Sequence, residues 1–412
     1  MSDLILPNPP DLSAIDGLEY KTGGTKLSTT IDNFFRIMSF APQYAGVHFN
    51  VMTGRPEVHD GQLIRSWDDA DEAESRSFIE KHYHIHSLSK HNDALQMLFR
   101  QREYNPLLDL VESFTWDGEN RCEIFLPAIM KADDTPYVRE VSRLIFAGGI
   151  NRLYSPGIKF DCMPVLVGGQ GSGKTTIVNW LALNDSYYCT TKDMSGDQKS
   201  IESLQGAWIV EVPELAAFRA SDIESLKAFV TIRSDKYRRP YDRNISTLPR
   251  RCFFIGTTNN ARFLTDKTGN RRFFPVDVHS NGYQLFQNRE DINNYICQCW
   301  AEARTRYKQG NMPPVADPSL TSAYMEAQDA ALEDDWRVGM IEQYLSECSA
   351  GHYVCVKELY KKCLYPGSSQ EPSQKDSREI GQIMDGLKTV EKVGRQYTSS
   401  YGRQRCWKVI VP

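Results

Sequence analysis

Residues 163–176 read MPVLVGGQGSGKTT, and the rest of the chain is read outward from them. Pro164 to Val167 is a short apolar run, as expected of a buried strand. Gly168, Gly169, Gln170, Gly171, Ser172, Gly173, Lys174 and Thr175 then satisfy G-x-x-x-x-G-K-[ST] at every position, with Thr176 behind them. Ile177 to Leu183 follows as an apolar, helix-competent segment. Strand, glycine loop and helix, in that order, are the context this motif requires; a chance glycine turn would lack them. Glycines let the backbone curl so that several N–H groups face one phosphate, and the helix behind adds the positive end of its dipole. The pattern predicts that Lys174 neutralises β- and γ-phosphates and that the Thr175 hydroxyl holds Mg²⁺.

The composition fits an ordinary soluble globular protein: 41% of residues are hydrophobic and 25% charged. The length sets an expectation of about two to four domains. A formal net charge of only −5 confines any nucleic-acid site to a local patch. No apolar run approaches the roughly 20 residues of a membrane span. The opening MSDLILPNPPDLSAIDG has neither a basic start nor a long apolar core, so residues 1–26 read as a flexible leader and not a secretory signal. The ten cysteines include no C-x-x-C pair, and most sit in apolar contexts such as Cys252 beside Phe253-Phe254. They read as reduced and buried, in a cytoplasmic protein.

Residues 27–105 read as a small α+β module. Ser28 to Met38 is a capped helix, and Val47 to Met52 a strand. Thr53-Gly54-Arg55-Pro56 is a turn, with Leu63 to Ser66 as the paired strand. Trp67 to Tyr83 and Ser89 to Glu103 are helices. His82, His84 and His86 would share a face if extended, yet no cysteine or carboxylate joins them at a ligand spacing; the alternative is an exposed helix-to-strand junction. A helical block, Leu107 to Phe114 and Tyr137 to Tyr154, leads into the glycine loop. Residues 106–310 then alternate apolar runs (AWIVEV at 207–212, CFFI at 252–255, FFPVDV at 273–278) with helical stretches such as Ser221 to Phe229. That alternation predicts an α/β fold with a largely parallel sheet. Residues 311–334 read as a helical connector. In the tail, 335–412, three helices (Arg337 to Cys348, Val356 to Cys363, Lys375 to Leu387) precede strands at Val390 to Val393 and Arg405 to Val411, the layout of a winged helix. Such modules bind duplex DNA in some proteins and only protein in others.

A nucleotide-hydrolysing site needs an acid at the end of a neighbouring strand. WIVEVPEL (208–215) supplies Glu211 inside the apolar run and Glu214 just beyond it. Burying Glu211 would be costly unless it met a cation. Glu214 sits where a water-activating base is expected. Thr257-Thr258-Asn259 ends the next strand, and the Asn259 amide can hold the attacking water. Arg271 and Arg272 lie on a loop before a strand, either as a solvated face or as fingers for charge developing on a transferred phosphoryl group. From Lys227 to Arg251 the chain holds Lys227, Arg233, Lys236, Arg238, Arg239, Arg243, Arg250 and Arg251, with Tyr237 and Tyr241 interleaved. Tyr237 to Tyr241, a turn at 242–244 and Ile245 to Leu248 read as a hairpin. Cations for phosphates and aromatics for stacking suit single-stranded nucleic acid, with Lys236, Arg238, Arg239 and Arg243 as contacts; the alternative is a charged surface hairpin.

The order glycine loop, strand-borne Glu, basic hairpin, TTN resembles the superfamily 3 helicases of viruses and mobile elements, and more closely the virulence-associated protein E family of phages and pathogenicity islands. TWDGENR (115–121), SPGIKFDCMPVLVGGQGSGKTT (155–176), WIVEVPEL (208–215), LKAFVTIRSDKYRRPYDR (226–243), PRRCFFIGTTN (249–259) and TGNRRFFPV (268–276) carry the likeness, over about residues 100–280. It implies an AAA+-like P-loop ATPase core with ATP and Mg²⁺ as ligands. Lys174 and Thr175 become the nucleotide contacts, Glu211 and Glu214 the second acidic motif with Glu211 at the metal, Asn259 the sensor, and Arg271 and Arg272 the family's paired arginines. The acidic motif departs from the adjacent acid pair of many AAA+ proteins, leaving the division of labour between Glu211 and Glu214 open. The resemblance implies a hexameric ring acting on single-stranded DNA, with duplex DNA as a further partner for the tail. The chain carries no zinc-binding cysteine set or acid triad for priming, so a primase or host replication protein would be a separate partner. The expected function is an ATP-dependent DNA motor in replication of a mobile element, without a membrane association; the alternative is an ATP-switched remodeller that does not unwind.

Overall fold

The Thr30 hydroxyl accepts a hydrogen bond from the Asn33 N–H and so starts helix α1 (Ile31–Phe40), which buries Phe34, Ile37 and Met38. A computed structural model describes residues 12–61, 63–237, 246–264, 269–332, 336–398 and 400–410. After α1 come β1 (Val47–Asn50), β2 (Arg55–Asp60), β3 (Leu63–Ser66), α2 (Asp69–Tyr83), α3 (Leu88–Gln101) and β4 (Glu103–Tyr104). The sheet order is β3-β2-β1-β4, with β4 parallel to β1 and the other pairs antiparallel. This corrects the sequence expectation. Leu63–Ser66 pairs with an intervening strand, Arg55–Asp60, whose start had read as a turn because charged residues surround its one aliphatic side chain, Val58. The histidine run is a helix-to-helix junction: α2 stops at Tyr83, His84 takes a left-handed φ of 53°, and His82 packs on the Phe78 ring. No group of three His, Cys, Asp or Glu able to hold a metal ion occurs among the described residues.

These elements belong to the same compact unit as the glycine-loop region, residues 1–332. The Met52 carbonyl accepts from the Gly206 N–H, tying the first sheet to the second. Within the unit follow α4 (Pro106–Ser113), α5 (Phe125–Met130), α6 (Pro136–Tyr154), β5 (Met163–Val167), α7 (Lys174–Leu181), β6 (Tyr188–Thr190), α8 (Gln198–Ser203), β7 (Ile209–Val212), α9 (Ala220–Val230), β8 (Ser234–Tyr237), β9 (Ser246–Pro249), β10 (Phe253–Thr258), β11 (Phe273–Asp277), α10 (Gly282–Gln287), α11 (Arg289–Lys308) and α12 (Thr321–Ala330). The protein is therefore mixed α/β, with a five-stranded sheet in the order β11-β5-β10-β7-β6 whose neighbouring pairs all run parallel.

Both faces of that sheet are covered, as a parallel sheet requires. Alternate residues sort the strands into two cores. Leu166, Ile209, Phe253, Ile255, Phe274 and Val276 pack with α6, α7 and α11. Val165, Val167, Val210, Val212 and Phe254 pack with Ile223, Leu226 and Phe229 of α9. Trp208 and Trp300 meet at 4.2 Å in the first core, and their indole N–H groups donate to the Gly149 and Leu181 carbonyls, so neither polar atom is stranded. The alternation also fixes the direction of Glu211: it shares a face with Ile209, the face covered by α7, which begins at the glycine loop.

The second unit, residues 333–412, is described by itself. It contains α13 (Trp336–Ser346), β12 (Tyr353–Cys355), α14 (Val356–Glu358) running on as a π-helical turn through Leu364, α15 (Gln374–Gly386), β13 (Val390–Thr398) and β14 (Gly402–Val409). The strands form a sheet in the order β12-β14-β13. Sequence patterning missed β12 and stopped the first hairpin arm at Val393. The arm continues to Thr398 through a bulge at Lys392/Gly394, which breaks the period-two pattern that strand reading relies on. The helical connector contains α12, and the first tail helix, read as Arg337 to Cys348, is α13, with residues 333–335 between them outside the described residues. No helix among the described residues is long and apolar enough to cross a membrane.

Candidate functional site

Strands β5, β10 and β7 lie side by side, and their C-terminal ends carry the residues singled out above. After β5 the chain turns through Gly171 (φ 83°) and Gly173 (φ 81°), left-handed conformations that residues with a Cβ rarely adopt. Gly173 is the N-cap of α7 and makes no side-chain cap, so no side chain closes the helix's first turn. That is the arrangement in which backbone N–H groups receive an anion.

The Lys174 ammonium is folded back over the loop. It lies within hydrogen-bonding reach of Gly168 O (2.6 Å), Gly169 O (2.9 Å), Ser172 Oγ (3.2 Å) and Asn259 Oδ1 (3.0 Å). Burial pushes its pKa down, and the charge of Glu211 pulls it back up. Asn259, just beyond β10, is thereby joined to the loop lysine.

Glu211 has no solvent exposure, yet its carboxylate is fully engaged. The Thr175 and Thr257 hydroxyls donate to Oε1 at 2.8 and 2.5 Å, and the Tyr188 hydroxyl donates to Oε2. Burial raises the Tyr188 pKa, and the bond to Glu211 raises it further, which keeps the phenol a donor. Three hydroxyls, with Lys174 nearby, offset the desolvation that the sequence alone made costly. The donor set is hard oxygen, a hydroxyl and a carboxylate in direct contact at 2.8 Å, and this chemistry suits Mg²⁺. Sequence reasoning gave Tyr188 no role, and it placed Thr257 at a strand end without joining it to Glu211. Only the strand neighbours bring them in, since β6 pairs with β7 and β10 with β7.

Glu214 stands apart from this cluster. It is exposed, and Lys192, its ion-pair partner, holds the carboxyl below its ordinary pKa. Its φ of 56° is left-handed, an outlier for a residue with a side chain and one found most often where function over-determines the backbone. Arg271 and Arg272 lie in a 3₁₀ turn, Asn270–Arg272, before β11. Arg271 is exposed and has no hydrogen-bond or ion-pair partner among the described residues. Arg272 is half-buried and donates from Nη1 to the Gly269 carbonyl (3.3 Å).

The basic stretch divides. β8 and β9 form an antiparallel hairpin, Ser234↔Pro249 to Tyr237↔Ser246, so the first arm begins at Ser234 and not at Tyr237. Lys236 is exposed on it. Arg238, Arg239 and Arg243, with the expected turn at 242–244, lie outside the described residues. Arg250 and Lys227, counted in the patch by sequence, are buried and not at its surface. Arg250 forms a two-pronged pair with Asp235 (2.6 and 3.0 Å), donates to the Phe229 carbonyl and lies over the Phe229 ring. It anchors the hairpin base to α9, and loss of either buried partner would strand a charge.

A family model described as the virulence-associated protein E-like domain matches residues 111–333, which includes the loop, both acids, the hairpin and the paired arginines. The chain belongs to the virulence-associated protein E-like family. Among solved structures it is similar to the apo structure of the NrS-1 C-terminal region, residues 305–718, with a TM-score of 0.48 and 12% identity over 89% of this chain and 96% of that one. The A form of the same region gives a TM-score of 0.45 and 14% identity, again over 89% and 96%. A search of curated proteins finds no match to this chain. The virulence-associated protein E-like match ends at the boundary between the two units, so α13 to β14 lie outside it.

Proposed function

We propose that this family member is an ATP-hydrolysing DNA motor of superfamily 3 helicase type that serves replication of a phage or other mobile element in the cytoplasm. One observation carries the reading: a lysine, a threonine, a buried glutamate and an asparagine meet at the ends of three adjacent parallel strands. In this reading residues 106–310 are an AAA+-like P-loop core, and the helices and three-stranded sheet of the second unit are a winged helix available to duplex DNA. Lys174 gives up the loop carbonyls for the β- and γ-phosphates of ATP. Thr175 and Glu211 would hold Mg²⁺, which would supply positive charge against the transferred phosphoryl group. Tyr188 and Thr257 keep the Glu211 carboxylate aimed. Asn259 orients the attacking water, and Glu214, released from Lys192, takes its proton. Arg271 reaches the nucleotide of a neighbouring subunit in a hexameric ring. The β8–β9 hairpin, through Lys236, Arg238, Arg239 and Arg243, tracks single-stranded DNA, and priming falls to a separate chain.

The two glutamates then separate by substitution. Glu211→Gln should weaken Mg²⁺-dependent ATP binding at least about tenfold, since a metal ligand loses its charge. Glu214→Gln should bind ATP normally and lose roughly a hundredfold or more in turnover, the range for a missing general base. Nucleotide titration and steady-state turnover read the two effects; the reverse pattern would exchange the roles.

The Lys192–Glu214 pair favours a second reading, an ATP-switched binding protein in which the base stays sequestered. Single-stranded DNA decides between them. A motor should turn ATP over several-fold faster with saturating single-stranded DNA than without it. An unchanged slow rate, with ATP still bound, belongs to the switch.

A further inference from the structure

The catalytic groups of the proposed site lie to one side of β5. Glu211 is on β7 and Asn259 follows β10, and the sheet runs β11-β5-β10-β7. A γ-phosphate facing those residues directs the rest of the nucleotide the other way, toward β11. The segment that follows β11, residues 278–283, is fastened to the glycine loop. The Val278 N–H donates to the Val167 carbonyl (2.7 Å), and the Gly282 N–H to the Gly171 carbonyl (2.8 Å). The Ser280 hydroxyl donates to the Ser172 carbonyl (2.6 Å). Gly282 sits so close that a Cβ there would lie 2.8 Å from the Gly171 carbonyl oxygen, nearer than real contacts allow. On its far side the segment is held by the Met130 carbonyl, which accepts from both the His279 and Ser280 N–H groups (3.0 Å each).

Tyr283 is the next residue. Its backbone is fixed by the Asn281 side chain, which accepts from the Tyr283 N–H (2.9 Å), yet the residue is 73% exposed. The ring has no hydrogen-bond or ring partner among the described residues. Phe286, one turn on and also exposed, packs edge-on against Trp180 of α7. An aromatic side chain is therefore carried beside the glycine loop on a backbone tied to that loop, with its faces free.

We propose that Tyr283 stacks on the base of the bound nucleoside triphosphate, with residues 279–283 forming the base site. The inference rests on the nucleotide reading above and adds to it a specific contact. Stacking on an aromatic ring draws on the π-face that every nucleobase has. Fixing the backbone beforehand lowers part of the ordering cost of binding.

The test compares ATP with inorganic triphosphate, which has the phosphates and no base, both with Mg²⁺ and both followed by calorimetry on the full chain. Tyr283→Ala should weaken ATP binding roughly tenfold, within the range for one base on one aromatic ring. It should leave triphosphate binding unchanged, and retained triphosphate binding also reports an intact loop. Tyr283→Phe should restore ATP affinity. Lys174→Ala should weaken both ligands. If Tyr283→Ala leaves ATP affinity unchanged while Lys174→Ala weakens both ligands, the base site is overturned and the phosphate site stands. Equal losses for ATP and triphosphate in Tyr283→Ala would also overturn it, because the side chain would then act on the loop. If Lys174→Ala weakens neither, the nucleotide site itself fails, and the base site with it.

Discussion

Lys174→Ala is expected to remove ATP hydrolysis altogether while the protein remains folded. In the described structure the ammonium hydrogen-bonds to the loop and Asn259, and its charge also acts on Glu211, whose carboxylate keeps three hydroxyl donors without it. None of these contacts belongs to either core of the parallel sheet, so truncation opens no apolar cavity. The loop carbonyls it releases adjoin exposed residues, Gly169 and Gln170, and water can take the place of the ammonium. The loss therefore falls on the bound nucleotide. In the proposed mechanism, the charge of the β- and γ-phosphates and of the transition state that forms from them would, without the lysine, be met by backbone N–H groups and Mg²⁺ alone. Removing one preorganised donor from a developing oxyanion costs about a hundred- to a thousandfold in rate; a full positive charge in a mostly buried setting should cost at least that. Turnover measured against thermal melting separates the two quantities. A variant that melts normally and hydrolyses ATP at the parent rate would remove the nucleotide site from this protein.

The glycine loop between β5 and α7 was legible because its signal is local: strand, glycines, lysine and helix follow one another within 163–183. The parallel sheet was legible for a related reason, since strands buried on both faces read as short apolar runs. Glu211 could be marked as anomalous, an acid inside such a run. What satisfies it could not, because Tyr188 and Thr257 reach it across strands that are neighbours only in the fold. Tyr188 sits in a strand of three residues, too short to show a period.

The basic stretch shows a different limit. Counting Lys227 and Arg250 with the surface cations of this stretch ignored burial, and burial turns on partners such as Asp235 and Glu224 that the sequence offers equally well as surface acids. Arg55–Asp60 was missed as a strand for the converse reason: a half-buried strand with mostly polar side chains has no alternation to read.

In the ring-motor reading an arginine finger acts on the nucleotide of a neighbouring subunit. Among the paired arginines, Arg272 is half-buried and donates to the Gly269 carbonyl, whereas Arg271 projects from the turn before β11 with no partner among the described residues. Keeping an arginine in solvent confers no stability on its own subunit. A finger for a neighbour's nucleotide needs that availability, because its guanidinium pairs only when the interface forms and charge develops on the phosphoryl group. Arg271→Ala should therefore fold and bind ATP normally and lose about a thousandfold in turnover, the lower end for a finger supplied from another chain. A cis and a trans finger would give the same result in that variant alone, so the decisive measurement mixes two dead proteins. Lys174→Ala subunits keep the finger and lack the lysine; Arg271→Ala subunits keep the lysine and lack the finger. In a ring that contains both, some interfaces join an intact loop to an intact finger when the finger acts across the boundary, and ATP turnover should return in part. A finger acting within its own subunit leaves every site in the mixture short of one group, and the activity stays at the level of the separate variants. Continued inactivity in rings shown by native mass to contain both subunits would end the ring-motor mechanism and leave the ATP-switched reading in its place.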